Sequence, residues 1–444
     1  MRYLIVIFLF ISFSTMAQKL DYSSADRITY LQFSNHQYQE LKVTGNLALQ
    51  QEIDFYYLRM RLGIAYYEEQ NYDKALGHFE RALAMNPMDT TAQEYLYFSY
   101  LFSGRVEDAA DYAESLTYKF QQKFGYQRKS VDCVSLNGGT SFTSNMADNS
   151  GTTLRSGTQQ YAEATYHDRI NFAGIYMQNN LSSRMKFYWG ASLFNTQAKT
   201  VVQTFKNSGQ NDYTNNQYQY NVGLSYQFKK GWNLGLGAGL FQQNLTNYQG
   251  LPFPSPPATV ISRFDFISKD TSENAFALNV GLSKRIRNVQ AGIAYSFSNF
   301  SNYGHHQFDF SLLYFPFGNL NLYSLSTYSI LQNTYSSTSV VSEKIGIKLH
   351  PKIYTEALIS YGSHTNFVSQ GTFLTYNTPD PIKLIAGMDL KFLINHLHLT
   401  LGYRYNQREG TRTVINTIDK PEQYSTTNFN YSIHLITTTL TWKF

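Results

Sequence analysis

From about Val131 to the end of the chain, apolar residues recur at every second position. In LHLTLGYRYN, Leu397, Leu399, Leu401, Tyr403 and Tyr405 share one face, while His398, Thr400, Gly402, Arg404 and Asn406 share the other. VQAGIAYSFSN and FALNVGLS repeat the alternation. In WNLGLGAGLF, Gly235, Gly237 and Gly239 stack opposite Leu234, Leu236, Ala238 and Leu240. A period of two marks strands with one apolar and one polar face. Counting such segments predicts about fourteen strands, within a range of about twelve to sixteen, if 157–180 is read as one long strand. The connections alternate in length. KKGWN, KRIRNV, FPFGNLN, LHPKI and INHLH are short, whereas NSGQNDYTNN, the Pro-rich YQGLPFPSPPATVISRFDFISKDTSEN, VSQGTFLTYNTPDP and REGTRTVINTIDKPEQYSTT are long. Tight turns at one end, long loops at the other and aromatic residues near strand ends are expected of an antiparallel transmembrane β-barrel. An even strand number returns both barrel termini to the short-turn end. Soluble sandwiches and propellers, the competing folds, turn their charges outward, which these Gly-, Ser- and Asn-rich polar faces do not support.

Residues 21–124 follow a helical period instead, with denser charge and more Ala, Leu and Glu. The stretch YYLRMRLGIAYYEEQNYDKALGHFERALAMNP resembles a tetratricopeptide repeat. Leu62, Gly63, Tyr66, Ala75, Phe79, Ala82 and Pro87 fall at its signature positions. Small Gly63 and Ala75 let two helices approach, Tyr66 and Phe79 fill the seam, and Pro87 stops the second helix. Leu96, Tyr100 and Ala109 form a second copy of the pattern, with Gly104 at its turn. Tyr38 and Leu41 suggest a weaker third copy before it. The predicted fold is thus α+β in two domains: a short tetratricopeptide-like solenoid (21–124), then the barrel (131–444).

The first seventeen residues, with Arg2 before the apolar Leu4 to Phe13 and Thr15-Met16-Ala17 at a cleavage-like site, read as a secretory signal peptide (1–17). No later apolar run is long enough for a membrane-spanning helix. Composition agrees with the barrel reading. Aromatic residues reach 16% and charged residues only 15%, well under the roughly 25% usual for soluble domains. The formal net charge of +5 comes without a basic cluster, so no nucleic-acid partner is expected. Cys133 is the only cysteine, which leaves no intramolecular disulfide.

With the apolar faces in lipid, Lys344, Lys348, Glu356, Lys383, Asp389, Lys391, His398 and Arg404 are expected to face the lumen. Their mixed signs suit a salt-bridged wall, and they also suit a polar permeation path. Signals for chemistry are weak. GLGAG lacks the Lys-Ser/Thr of a phosphate-binding loop. His305 and His306 point to opposite faces of a strand, and Ser363-His364 is only a pair of neighbours. No catalytic residue, metal site or cofactor is expected, and the protein is read as non-enzymatic.

The order signal peptide, helical repeat, barrel resembles a class of Gram-negative outer-membrane proteins. The class includes YaiO-type barrels and polysaccharide-export barrels such as the poly-N-acetylglucosamine porin. The style of the barrel sequence resembles Bacteroidetes proteins. At the C-terminus, TTTLTWKF places Ile436, Leu440, Trp442 and Phe444 on one face. This resembles the signal that barrel-assembly machinery reads on its clients. The resemblance implies a location in the outer membrane with the helices in the periplasm, and contacts with membrane lipid and the assembly machinery. It implies a non-enzymatic barrel whose repeats dock a periplasmic protein, serving export or assembly of a surface polysaccharide or protein. The alternative is a passive or selective channel with the helices as a lid.

Overall fold

The computed structural model of the chain describes residues 20–143, 161–204, 208–252, 264–377, 380–415 and 424–444. The expected signal peptide lies outside the described residues. The chain divides into two units, Met1–Ser103 and Gly104–Phe444.

The first unit is helical, with α1 (Tyr22–Ser34), α2 (Tyr38–Gln50), α3 (Tyr56–Glu68), α4 (Tyr72–Met85) and α5 (Thr90–Phe102). Asp21, Asn71 and Asp89 cap α1, α4 and α5 by accepting hydrogen bonds from the backbone N–H of Ser24, Lys74 and Ala92. Leu41, Leu58, Leu62, Ala75, Phe79 and Ala82 are fully buried between the helices. A Cβ on Gly63 would lie 2.6 Å from the Phe79 ring, so α3 and α4 can pack this closely only with glycine there. Pro87 follows the end of α4, as expected of a residue that cannot continue a helix.

The second unit opens with α6 (Val106–Ser115) and α7 (Tyr118–Lys123). The strands that follow are β1 (Val131–Thr143), β2 (Tyr161–Asn180), β3 (Met185–Thr204), β4 (Ser208–Gln227), β5 (Trp232–Pro252), β6 (Phe264–Ile286), β7 (Val289–Ser298), β8 (His305–Tyr314), β9 (Leu322–Gln332), β10 (Ser337–His350), β11 (Ile353–Gly362), β12 (Phe367–Ser369), β13 (Leu374–Tyr376), β14 (Ile382–Ile394), β15 (Leu397–Ile415) and β16 (Tyr424–Lys443). Fourteen of these form one closed antiparallel barrel, and β12 and β13 make a separate hairpin. Closure runs through β1 and β16, with Val134 opposite Trp442 and Leu136 opposite Leu440. Alternate residues on the outer wall are apolar and exposed. Leu240 is 63% exposed, Ile293 59% and Ile359 54%. A closed barrel leaves no unpaired edge, and an apolar outer wall is what lipid requires, so this is the architecture of outer-membrane barrels.

The structure departs from the sequence reading in two places. Much of what reads as long loop is strand. β4 begins at Ser208, β5 runs to Pro252, β6 starts at Phe264 and β15 reaches Ile415. Residues 253–263 and 416–423 of those stretches lie outside the described residues. Beyond the end of β1, β15 pairs with the start of β2, Val414 opposite Ala162. A small apolar core of Ala162, Ala164, Tyr166, Val201 and Val414, with Phe429 against it, holds these upper strands together. A ladder of backbone hydrogen bonds with its own core needs no lipid-facing stripe, so the period-two signal fades while the strands continue. The second departure is the β12–β13 hairpin inside VSQGTFLTYNTPDP, a stretch expected to be an outer loop. It folds back into the barrel.

Candidate functional site

The inserted segment runs from the end of β11 to the start of β14 and is tied to the wall at three levels. At its first foot, His364 is buried. Its Nδ1 donates to the Ile382 carbonyl at 2.8 Å, and its Nε2 accepts from Ser360 Oγ at 2.7 Å. The tempting Ser363-His364 neighbours therefore make no pair, and the histidine serves the loop instead. At the second foot, Asp380 accepts from Tyr431 on β16 and lies 3.2 Å from His167 Nδ1 on β2. In the middle, buried Gln307 on β8 acts like a strand of one residue. Its amide donates to the Val368 carbonyl at 2.7 Å and accepts from the Val368 N–H at 3.0 Å. Val368 itself packs with Phe241, Ala277 and Phe300.

The tip reaches the far wall. Phe373 lies edge-on to Tyr176 of β2, with ring centroids 5.5 Å apart. A Cβ on Gly223 would stand 3.2 Å from the Phe373 ring, and a Cβ on Gly237 would collide with the Gly371 carbonyl oxygen. The glycine-rich face of β5, without chemical meaning as a phosphate loop, is thus the surface on which the loop rests. Between tip and wall lies a chamber of about 530 Å³. Ser135, Asn137, Tyr188, Asn221, Gln370 and Phe373 are among the residues around it, and its wall residues come from β1 to β6 and β16.

The opposite wall, from β9 to β15, carries the charges. Glu356 accepts from Lys391 Nζ at 2.6 Å and from Tyr323, with Lys344 Nζ at 3.9 Å. Asp389, its register partner on β14, accepts from Arg404 at 2.6 Å. Lys348 stands apart from that cluster, over the Tyr354 ring. His398 sits in register with Thr441 on β16. A bulge between Ile382 and Leu384 breaks the alternation at Lys383, which pairs with Glu409 at 3.6 Å, away from the rest. The sequence reading missed Glu343. It falls among the apolar, outward positions Val341, Ile345 and Ile347, where it accepts from Ser324 and Ser326, each at 2.6 Å. Its place at apolar parity in VVSEKIGIKL was the available signal.

At the short-turn end, α6 is latched to the barrel rim. Arg184, in the turn between β2 and β3, donates to Asp111 at 2.5 Å and lies 3.6 Å from Asp108. Lys186 pairs with Glu107 at 2.6 Å, and Gln227 donates to Asp108. The guanidinium of Arg184 holds the Asp111 carboxyl below its usual range. In the first unit, Arg61 donates to Asp26 at 2.7 Å and sits against the Tyr30 and Tyr57 rings. His78 stacks on Tyr66, and its Nδ1 lies 3.4 Å from an Arg59 nitrogen. Burial, with the Arg59 charge beside it, pulls His78 down to about 4. Leu96 and, on α6, Ala109 are buried, while the Tyr100 hydroxyl donates to Glu80. At the C-terminus, Ile436, Leu440, Trp442 and Phe444 are exposed on the outer wall, and the Phe444 N–H donates to the Asp132 carbonyl. Among the described residues, no cluster of His, Cys, Asp and Glu has the arrangement of a metal site.

Residues 56–89, spanning α3 and α4, match the tetratricopeptide repeat family. No curated protein matches the chain. Solved structures with a similar course include the Pseudomonas putida toluene transporter TodX, at 10% identity and a TM-score of 0.43, covering 71% of this chain and 91% of that one. A Pseudomonas aeruginosa FadL homologue gives 10% identity and a TM-score of 0.44, with 70% and 90% covered. A bacterial polysaccharide outer membrane secretin gives 11% identity and a TM-score of 0.33, with 70% and 98% covered.

Proposed function

We propose that this chain is a non-enzymatic outer-membrane conduit with an internal gate, whose helical repeats dock a partner protein in the periplasm. The observation that carries the reading is the loop between β11 and β14. It crosses the lumen and is held there by Gln307, His364 and Asp380. A barrel needs no such segment to be stable, since its wall is already closed. A segment anchored at both feet and in the middle makes sense as a constriction that cargo or a partner must displace. Placement of the helices in the periplasm is supported by the topology. Cys133 at the start of β1 pairs with Lys443 at the end of β16, at the end where the short turns lie. The partner-docking role is supported by the repeat match, since stacked helix pairs present a groove to peptides and proteins. Service to export or assembly of a surface polysaccharide or protein is the role that combines a docking unit with a gated pore.

A pulldown from solubilised outer membrane tests the docking role. The full chain is expected to recover an envelope protein that is lost when residues 21–103 are deleted, and an unchanged set of partners would refute it. A second reading, a selective channel without a docked partner, draws on the uncharged chamber behind the loop. It predicts stepwise conductance of the purified protein that is indifferent to any such partner.

A further inference from the structure

We propose that the chamber behind the loop is a binding site for an uncharged, hydroxyl-rich ring compound: a sugar or a short run of sugar units. Its volume of about 530 Å³ falls in the range of small-molecule sites. Every Asp, Glu, Lys, Arg and His is missing from its described lining, although the facing wall of the same lumen holds Glu356, Asp389, Lys391 and Arg404. A charged ligand would give up its water here without meeting a counter-charge. A hydrocarbon would fit no better, because it would leave amides and hydroxyls without partners.

Asn221 and Asn137 border the chamber with their side-chain oxygens buried over Gly239 and Gly174, so a ligand meets the lining through its hydroxyls and its remaining amide groups. A sugar hydroxyl suits both, because it donates and accepts. Tyr176, Tyr188 and Phe373 supply the flat apolar faces against which the carbon side of a sugar ring can lie. Phe373 belongs to the loop, so a ligand in the chamber touches the wall and the gate together. This names a ligand class for the conduit proposed above and rests on that reading only for the route of entry.

The test is calorimetry on the full-length protein in detergent, with maltotriose as the neutral probe and trigalacturonate as its anionic counterpart. Maltotriose should bind saturably, and trigalacturonate at least about tenfold more weakly. Asn221→Leu and Phe373→Ala should each weaken maltotriose binding about tenfold or more, with retained heat-modifiable migration showing that the barrel is folded. Gln370→Ala, on the loop rather than the wall, gives the same readout without risk to the strands. No maltotriose binding by the wild type, equal binding of the two probes, or variants that bind like the wild type would overturn the proposal. Conductance of a variant with residues 365–378 replaced by a short Gly-Ser link separates the two claims. A variant that conducts while the wild type ignores maltotriose refutes the sugar site alone, and a wild type that binds maltotriose while the variant stays silent refutes the conduit alone.

Discussion

Gln307→Ala isolates the contact on which the gate depends. Gln307 makes two hydrogen bonds to Val368, at 2.7 and 3.0 Å, and both residues are buried. A typical hydrogen bond contributes about 0.5–1.5 kcal/mol net, so losing both weakens docking by about 1–3 kcal/mol. The larger penalty for leaving a buried N–H and C=O unpaired does not apply in full, because release of the loop returns them to water. Since 1.4 kcal/mol is a factor of ten, the undocked population should rise about 5- to 150-fold. Hydrogen exchange of a peptide containing Val368 reads this directly, because its N–H is protected only while Gln307 accepts from it. Exchange at Val368 that is unchanged in Gln307→Ala would mean that the Phe241, Phe300 and Val368 packing alone holds the segment, and the anchoring argument would fail.

Three further outcomes follow from other parts of the molecule. The helical signal of the full chain should become less heat-stable between pH 6.5 and about 4. His78 is pulled down to about 4 in the fold, so in that window the unfolded chain takes a proton that the folded one refuses. Stability is therefore full above pH 6.5 and falls by up to about 3 kcal/mol as the pH drops. Circular dichroism should show the slope in the wild type and its loss in His78→Gln. Arg184→Ala removes the charged hydrogen bond to Asp111 and should weaken the α6 latch by about 1–3 kcal/mol, read as faster exchange over residues 106–115. Unchanged exchange there would remove the latch from the account. Deleting Phe444 should lower the amount of barrel assembled in the outer membrane more than the heat resistance of barrel already inserted, and equal assembly would leave the residue only its place at the membrane interface.

The strands were legible because lipid imposes a strict rule on their outer faces. LHLTLGYRYN became the membrane part of β15 with its predicted faces, and the helices of the repeat appeared where Leu62, Gly63 and Phe79 pointed. The rule lapses where lipid ends. The upper part of β15 read as loop because its core is small and its faces mixed. The inserted segment was hidden for a different reason. VSQGTFLTYNTPDP is Thr-, Asn- and Pro-rich like any exposed loop, and its partners are far away in sequence. Gln307, Tyr176, Gly223 and Gly237 meet it only once the barrel has closed. Only the glycines left a trace, since a face of Gly235, Gly237 and Gly239 is more open than a polar lumen requires. Asp389 and Arg404 could be placed on neighbouring strands from the sequence, but the Glu356–Lys391 pair and Lys383 could not, the latter because a bulge shifts the alternation at that residue.

Single-molecule conductance in planar bilayers tests the central claim most directly, by comparing the full chain with a variant in which residues 365–378 are replaced by a short Gly-Ser link. A lumen closed by the inserted loop predicts a mostly silent wild type and a variant with stable, stepwise openings. A wild type that is already open to the same degree, or a variant that stays silent, would contradict the account.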